Sequence, residues 1–293
     1  MTEARLIQTL FPAGIKYVEC PRDAWQGLEH FVPTETKIQY LHALLETGFT
    51  HLDLGSFVSP KAVPQMRDTE EVLRELPDPA GRDYLCIVAN ERGMERAATQ
   101  PKVTSVGFPL SISETFQLRN AHQTLPEAWQ LVHRLKVQSD AASKNLVVYL
   151  SMGFGNPYGD PWSVQLVQDA LDRLFELGIS SIALADTVGV ATPEQVEQLC
   201  NQLRDHMKKA ELGLHLHARP EHADPLIEAG WQAGIRWFEG AMGGFGGCPF
   251  AADDLVGNLP TELVLRHFKS DVHLNREVLR LVQKVFCDPA ADF

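Results

Sequence analysis

The sequence is poor in cysteine, which limits the kinds of site that it can form. Among 293 residues there are only five cysteines, an odd number, and none of them lies in a CxxC pair. Disulfide frameworks and structural zinc sites both depend on cysteines in paired arrangements. We therefore expect neither a disulfide scaffold nor a zinc knuckle.

Long apolar runs and excess positive charge are also missing. No stretch approaches the ~20 apolar residues that a membrane-spanning helix needs, and the N-terminal MTEARLIQTLF lacks the basic-then-apolar order of a secretory signal. The formal net charge of −12 argues against nucleic acid as a main partner, because phosphate binding needs a basic surface. We expect a cytoplasmic protein with neither a membrane partner nor a nucleic-acid partner.

What the sequence does contain is a regular alternation of short apolar segments with longer amphipathic ones. The amphipathic segments, such as TETKIQYLHALLETG and TPEQVEQLCNQLRDHMKKA, have Thr at the expected N-caps, and Gly48 is the expected C-cap of the first. Strands that alternate with helices pair in parallel through right-handed crossovers. The short segments predict eight strands, at 15–20, 51–55, 84–89, 103–108, 146–153, 180–186, 212–217 and 236–241.

Eight such units predict an α/β fold, a (β/α)8 (TIM) barrel with a small C-terminal helical extension. We expect one catalytic domain over residues 1–293. A doubly wound open sheet is the alternative, but no glycine-rich phosphate-binding turn follows the first predicted strand. Barrel enzymes place their chemistry at the carboxyl ends of the strands. The polar residues at those ends are therefore the candidates for function.

Polar residues lie in or just after four of the predicted strands. A cation next to an anion after the first strand most often marks a surface loop, but barrel closure would bring these residues into one mouth with the others. They are Arg22 and Asp23 after the first strand, Asp53 in the second, Asp186 at the end of the sixth, and His215 and His217 at the end of the seventh.

The two histidines are the sharpest indication of a metal site. Residues i and i+2 of a strand point to the same face, so His215 and His217 project together while Leu214 and Leu216 face the helices. Two imidazoles on one face can chelate a divalent ion, and Asp23 can add a carboxylate; such mixed ligands suit Mn²⁺, Mg²⁺ or Zn²⁺. Two buried histidines bonded to their neighbours are an equally good interpretation of this motif alone.

A glycine-rich segment is the second indication of function. Four of the five residues from Gly243 to Gly247 are glycine, and Cys248 and Pro249 follow directly. Such a segment predicts a flexible loop that closes over a substrate and brings the Cys248 thiol to it. A glycine-rich turn with an incidental cysteine is the alternative.

Taken together, these motifs resemble those of the 3-hydroxy-3-methylglutaryl-CoA (HMG-CoA) lyases, metal-dependent barrel lyases related to Claisen-type synthases. The resemblance covers about residues 15 to 265. SFVSPKAVPQM and GGCPFA are specific to the lyases, whereas RD and HxH occur across the wider superfamily. The motifs are PRD at 21–23, SFVSPKAVPQM at 56–66, DTVG at 186–189, HLH at 215–217, GFGGCPFA at 244–251 and GN at 257–258.

The resemblance implies a role for each candidate residue. The sequence departs from the family pattern at Asp53, where the familiar lyases have glutamate, at Ala24 and Trp25, where they have Gly-Leu, and at Leu263, a position that is usually acidic. The implied metal ligands are Asp23, His215, His217 and Asn258. The implied catalytic residues are Arg22, Cys248, Asp53, Asp186 and Glu262.

The activity implied by the resemblance is the retro-Claisen cleavage of HMG-CoA to acetyl-CoA and acetoacetate, with Mg²⁺ or Mn²⁺ as cofactor, an acyl-CoA as partner and a homodimer as assembly. The metal would acidify the C3 hydroxyl, and Asp53, Asp186 or a histidine would accept its proton. Arg22 would stabilise the enolate and Cys248 would help to protonate it. The alternatives are a related C–C lyase, aldolase or synthase acting on another acyl-CoA or keto acid, and a catalytically silent barrel that binds CoA esters.

Overall fold

The computed structural model describes residues 10–247, 256–268 and 274–287, and these form a closed barrel of eight parallel strands. The strands follow one another around the barrel in chain order, and β1 pairs with β8 to close it. They are β1 (Lys16–Glu19), β2 (His51–Ser56), β3 (Asp83–Ile87), β4 (Ser105–Ser111), β5 (Asn145–Ser151), β6 (Ser181–Asp186), β7 (Glu211–Leu216) and β8 (Trp237–Gly240). Each overlaps a strand predicted from the sequence, so the (β/α)8 prediction is confirmed.

Helices connect the strands and surround them. Two helices lie between β1 and β2, between β4 and β5 and between β6 and β7, and the last two helices follow the barrel. The helices are α1 (Pro21–Gln26), α2 (Thr34–Thr47), α3 (Thr69–Glu75), α4 (Glu91–Ala98), α5 (Glu114–Ala121), α6 (Leu125–Ala141), α7 (Val164–Glu176), α8 (Pro193–Gln202), α9 (Arg204–Met207), α10 (Pro220–Gln232), α11 (Thr261–His267) and α12 (Arg276–Val282), which continues as a π-helical turn (Gln283–Cys287).

The helix ends follow local chemistry in most places. Thr192 caps α8 as predicted, in a capping box with Gln195, and Gly48 ends α2 in the left-handed conformation with φ of 110°. Thr34 does not cap α2: it is the first residue of the helix, and its hydroxyl donates to Asp68 at 2.9 Å. The cap prediction is therefore wrong at Thr34, where a tertiary hydrogen bond replaces the local one.

Two hydrophobic layers hold the barrel. The larger lies between the strands and the helices, and it includes Leu214 and Leu216 of β7, as predicted from the alternation of that strand. A smaller cluster includes Trp237 and Tyr149. Trp237 contacts Glu239, and Tyr149 contacts His215, so this cluster adjoins the candidate site. Gly213 of β7 makes room for the first of these rings, since a Cβ there would lie 2.3 Å from an indole carbon of Trp237.

No helix in the described part of the chain is both long enough and apolar enough to cross a membrane. The C-terminal extension instead packs on the barrel: α12 contacts α2, and the π-helical turn accepts a hydrogen bond at Val285 O from Nε2 of His30, at 3.1 Å. The extension is therefore fixed to the segment between the first two helices.

Candidate active site

A cavity of about 360 Å³ opens at the carboxyl ends of the strands. Arg22, Asp23, His215 and His217 all line it, together with apolar side chains such as Phe108. The Arg–Asp pair is buried at the start of α1, which follows β1 directly. It is therefore part of the cavity wall, and the surface-loop interpretation is wrong for this pair.

Three side chains at one end of the cavity have the geometry of a metal site. Asp23, His215 and His217 are buried, and each offers one ligand atom within 4.8 Å of the other two. The Nε2 atoms of the two histidines lie 3.2 Å apart, and Nε2 of His217 lies 3.8 Å from Oδ2 of Asp23. The common face predicted for the histidines is confirmed, although β7 itself ends one residue before His217.

Asn258 lies next to these three residues and adds an unsatisfied acceptor. Its Nδ2 donates to Oδ2 of Asp23 at 2.8 Å and to the carbonyl oxygen of Phe245 at 2.9 Å. Its Oδ1 is buried and has no hydrogen-bond partner within the described residues. A buried orphan oxygen is rare in a folded protein unless a ligand or ion satisfies it. One amide oxygen, one carboxylate and two imidazoles together fit a hard divalent cation such as Mg²⁺ or Mn²⁺.

Glu239 of β8 lies behind His215 and fixes the orientation of its ring. Its Oε2 is 2.7 Å from Nδ1 of His215, and its Oε1 accepts from Nε1 of Trp237 at 3.1 Å and from the hydroxyl of Tyr149 at 3.4 Å. This leaves Nε2 of the histidine directed at the candidate metal site, the arrangement that metal-bound histidines use. Glu239 was not predicted from the sequence, although it lies two residues after Trp237 in a buried strand and therefore on the same face.

Burial and neighbouring charges set the pKa of each ligand. Burial would raise the pKa of Asp23, but the Arg22 guanidinium and the two imidazoles outweigh it and hold that pKa well below its usual range. Burial lowers the pKa of His217 to about 4, and the charge of His215 adds to the effect. For His215 burial acts in the same direction, but the hydrogen bond and charge of Glu239 prevail and raise its pKa.

Arg22 is held by three side chains. Its Nε donates to both carboxylate oxygens of Asp53, at 3.0 and 3.1 Å, and its Nη2 donates to Oδ2. Its Nη1 donates to Oδ1 of Asp23 and Oε1 of Gln26, each at 2.9 Å. Asp53 is fully buried, and its pKa rises to about 6 because desolvation exceeds the opposing effect of Arg22. Gln26 also donates to Asp23 at 2.7 Å, a contact that its position one turn along α1 could have suggested.

Asp186 ends β6 as predicted, but its carboxylate is directed at its own loop. It accepts from the backbone N–H groups of Val190 at 3.0 Å and Ala191 at 2.8 Å. Burial nevertheless raises its pKa to about 6. The neighbouring Thr187, not Asp186, is the cavity-lining residue here, and its hydroxyl accepts from Met152 N at 3.1 Å. The structure therefore gives Asp186 a role in shaping the loop beside the cavity.

Glu262 lies in the first turn of α11, at the base of the glycine-rich segment. Its carboxylate accepts from the backbone N–H of Gly243 at 3.0 and 3.1 Å, so it anchors the segment at its beginning. Cys248 lies outside the described residues. Of these two predicted catalytic residues, the structure therefore describes Glu262, which contacts the glycine-rich segment through the backbone of Gly243.

The glycine-rich segment is closely packed where it is described. All four of its glycines have positive φ, from 70° to 124°, a region that disfavours other residues. A Cβ on Gly244 would lie 2.8 Å from Cγ of Pro260, and one on Gly246 would lie 2.5 Å from Nδ2 of Asn258 and 2.9 Å from Asp23 O. These glycines therefore serve tight turns and close contacts, and the closure of the loop over a substrate stays a prediction.

The SFVSPKAVPQM segment after β2 forms one wall of the cavity through Ser59, Ala62 and Val63. Its buried Gln65 joins this wall to the chain after α1: Oε1 accepts from Val32 N at 3.1 Å, and Nε2 donates to Leu28 O at 3.1 Å. The motif that carries much of the family resemblance thus connects the cavity wall to the segment that follows Arg22 and Asp23.

Comparison with known proteins places this site in a family. The family model described as HMGL-like matches residues 17–283. Hydroxymethylglutaryl-CoA lyase YngG of Bacillus subtilis (strain 168) is 34% identical over 266 residues, which cover 89% of this chain and 87% of that protein. The (R)-citramalyl-CoA lyase of Chloroflexus aurantiacus is 31% identical over 258 residues, 85% of this chain and 81% of that one.

Solved structures agree with these sequence matches. An HMG-CoA lyase from Acinetobacter baumannii, in complex with coenzyme A and 3-methylmalate, superposes with a TM-score of 0.83 at 29% identity, covering 92% of this chain and 90% of that one. An HMG-CoA lyase from Pseudomonas aeruginosa gives a TM-score of 0.86 at 26% identity, covering 97% and 96%. The resemblance predicted from the motifs is confirmed, and the chain belongs to the HMGL-like family.

Proposed function

We propose that this protein is an HMG-CoA lyase, a carbon–carbon lyase that cleaves HMG-CoA to acetyl-CoA and acetoacetate. The observation that carries the proposal is the unsatisfied Oδ1 of Asn258 beside Asp23, His215 and His217, at the end of a cavity that Arg22 also lines. The identity to HMG-CoA lyases over most of the chain supports the same reaction.

Asp23, His215, His217 and Asn258 would hold a divalent ion, Mg²⁺ or Mn²⁺. When bound, the ion supplies Lewis-acid chemistry that makes the substrate hydroxyl easier to deprotonate. The low pKa of Asp23 and the neutral state of His217 keep ligand atoms available near neutral pH. Glu239 fixes the tautomer of His215, so that its free ring nitrogen faces the ion.

Arg22 provides the positive charge for the thioester. A guanidinium has five N–H groups, and within the described residues four of them are used by Asp53, Asp23 and Gln26. One N–H on Nη2 is left for the substrate, in an orientation fixed by the other four. A donor held in this way stabilises the enolate oxygen that develops as the C–C bond breaks, and one such donor is worth about 10²–10³ in rate.

We assign proton transfer to Asp53 rather than Asp186. Both are buried carboxyl groups with a pKa of about 6, which suits exchange of a proton near neutral pH. Asp53 does not itself line the cavity, but it bonds directly to Arg22, which does, whereas Asp186 is bonded to the backbone of its own loop. We keep Cys248 as the thiol that protonates the acetyl-CoA carbanion, and Glu262 as the anchor of its loop.

A second candidate substrate is (R)-citramalyl-CoA, favoured by one relative of that activity. It has the same tertiary alcohol as HMG-CoA and one methylene fewer before its carboxylate, so the same residues can cleave it, releasing pyruvate in place of acetoacetate. The two solved structures with TM-scores of 0.83 and 0.86 are both HMG-CoA lyases, and we therefore place HMG-CoA first.

The test is to incubate the purified protein with Mg²⁺ or Mn²⁺ and each thioester in turn. Release of acetyl-CoA is followed in every reaction, and separate coupled assays detect acetoacetate and pyruvate. We expect metal-dependent acetyl-CoA and acetoacetate from HMG-CoA. Pyruvate from citramalyl-CoA at a higher kcat/KM would assign the second substrate, and no cleavage with either metal would contradict the lyase proposal. We further propose that residues 1–293 act as one catalytic domain; the homodimer and the cytoplasmic location stay predictions.

A further inference from the structure

An aromatic pair joins the C-terminal extension to the glycine-rich segment. Phe286, in the π-helical turn that follows α12, stacks on Phe245 with ring centroids 4.3 Å apart and ring planes 5° from parallel. The turn itself is fixed, because Val285 O accepts the hydrogen bond from His30. Phe245 is thus held by a ring that lies 41 positions further along the chain (286 − 245).

The backbone of Phe245 in turn holds a candidate metal ligand. Its carbonyl oxygen accepts from Nδ2 of Asn258, which also donates to Asp23. These two bonds use both N–H groups of the amide, so the plane of the amide and the direction of Oδ1 are fixed. Displacement of Phe245 would release one of the two and let the amide rotate.

Gly246, the residue after Phe245, leaves no space beside Asn258 for such a displacement. Gly246 lies so close that a Cβ on it would be 2.5 Å from Nδ2 of Asn258, 2.9 Å from Asp23 O and 3.0 Å from Cα of Ala24. The segment therefore contacts α1 through Gly246 and the Phe286 ring through Phe245. The position of the Phe245 carbonyl depends on both.

We propose that Phe286 is a positioning residue for the metal site: it holds Phe245 so that the carbonyl of Phe245 orients Asn258 toward the ion. This inference rests on the proposed metal ligands and extends them to a residue of the C-terminal extension. Phe286 is neither a candidate metal ligand nor a cavity-lining residue, and its effect passes through one ring stack and one hydrogen bond.

The test measures Mn²⁺ affinity from the electron paramagnetic resonance signal of free Mn²⁺, together with the melting temperature of the metal-free protein. The variants are Phe286→Ala, Phe286→Leu, which keeps apolar volume but not the stacking ring, and Phe286→Tyr, which keeps the ring. Phe175→Ala is the matched control. Phe175 lies in α7, on another part of the barrel; it is also half-buried, and its ring lies 5.8 Å from the ring of His206.

We expect Phe286→Ala and Phe286→Leu to raise the Kd for Mn²⁺ about tenfold, the smallest effect typical of residues that orient metal ligands. Phe286→Tyr and Phe175→Ala should bind Mn²⁺ as the wild type does. Unchanged affinity in Phe286→Leu, while Asn258→Ala binds weakly, would overturn the positioning role alone. Unchanged affinity in Asn258→Ala would instead refute the metal assignment, and the role of Phe286 with it.

Discussion

The candidate metal site has two halves that are held in different ways. The strand half consists of His215 and His217 at the end of β7, with Glu239 of β8 behind the first of them. The loop half consists of Asn258 and the segment Gly243–Gly247, which meet at the Phe245 carbonyl. The register of the barrel fixes the strand half, whereas close contacts between segments that are distant in sequence fix the loop half.

This difference has a practical consequence. In the strand half, β7 and its paired neighbours position the two histidines, so changing one side chain should alter chemistry and leave geometry in place. In the loop half, the backbone of Asn258 pairs with that of His217, but the carbonyl that holds its side chain depends on glycines with positive φ and on one ring stack. Adding a single methyl group there should therefore displace the ligand.

Arg22→Lys should give the largest loss, since it changes chemistry without moving either half. Lysine keeps the charge but cannot reproduce the planar fork that bonds Asp53, Asp23 and Gln26 at once. We expect kcat for acetyl-CoA release to fall about 10²–10³-fold. Mn²⁺ affinity should change much less, and near-wild-type kcat would contradict the assigned role of Arg22.

Gly246→Ala should break the loop half specifically. The new Cβ would meet Asn258 and Asp23 O, so we expect Mn²⁺ affinity to fall up to about 100-fold, the upper range for changes beside a metal ligand. Gly14→Ala is the matched control: Gly14 also has positive φ, 90°, but a Cβ there meets nothing within 4 Å. If the two variants lose the same metal affinity, backbone strain and not contact with Asn258 is the cause.

Glu239→Gln probes the strand half. The amide oxygen of glutamine can still accept a hydrogen bond from Nδ1–H of His215 but lacks the negative charge that makes the imidazole more basic. We expect a loss of Mn²⁺ affinity of about tenfold, with the melting temperature of the metal-free protein nearly unchanged. Isothermal titration calorimetry with Mn²⁺ measures the affinity. Wild-type affinity in the variant would show that the carboxylate charge does not affect metal binding.

Glu19→Gln should have the smallest effect on activity and a distinctive effect on stability. Glu19 is buried on the outer side of β1, where it accepts from Met242 N at 2.8 Å and from the hydroxyl of Thr261 at 2.5 Å, on either side of the glycine-rich segment. Burial raises its pKa to about 8, although these two hydrogen bonds oppose the rise.

A carboxyl group with a raised pKa in the folded state stabilises the fold most when both states are protonated, below about pH 4.5. Wild-type stability should therefore fall relative to Glu19→Gln as the pH rises from about 4.5 to about 8, by up to about 1.4 kcal/mol per pH unit, and then level off. Urea titrations across this range measure the difference. A constant difference would show that Glu19 is not buried in its acid form.

The strand half could be predicted from the sequence, and the loop half could be predicted only in part. Alternation with period two placed His215 and His217 on one face, and eight apolar segments predicted the eight strands. Both are local signals. Glu239 was missed because it is a single acidic residue in an apolar strand, and only the register of β8 against β7 places it beside His215.

The loop half depends on contacts that no local pattern encodes. The glycines predicted flexibility, yet Gly244 and Gly246 are needed because Pro260 and Asn258 approach them closely. The stack of Phe286 on Phe245 joins segments with no shared periodicity. Asn258 itself was found only through the family resemblance, since a lone asparagine next to a glycine carries no signal for metal binding.

The most direct test of the account compares the rate of HMG-CoA cleavage with the Mn²⁺ bound per chain, measured on the same samples after chelation and stepwise reloading. We expect the rate to be lost on chelation, to rise in proportion to bound Mn²⁺, and to reach its maximum at about one ion per chain, the capacity of the single proposed ligand set. We also expect His217→Ala neither to bind the ion tightly nor to recover activity. Full cleavage by the chelated protein, or by His217→Ala without bound metal, would contradict the account.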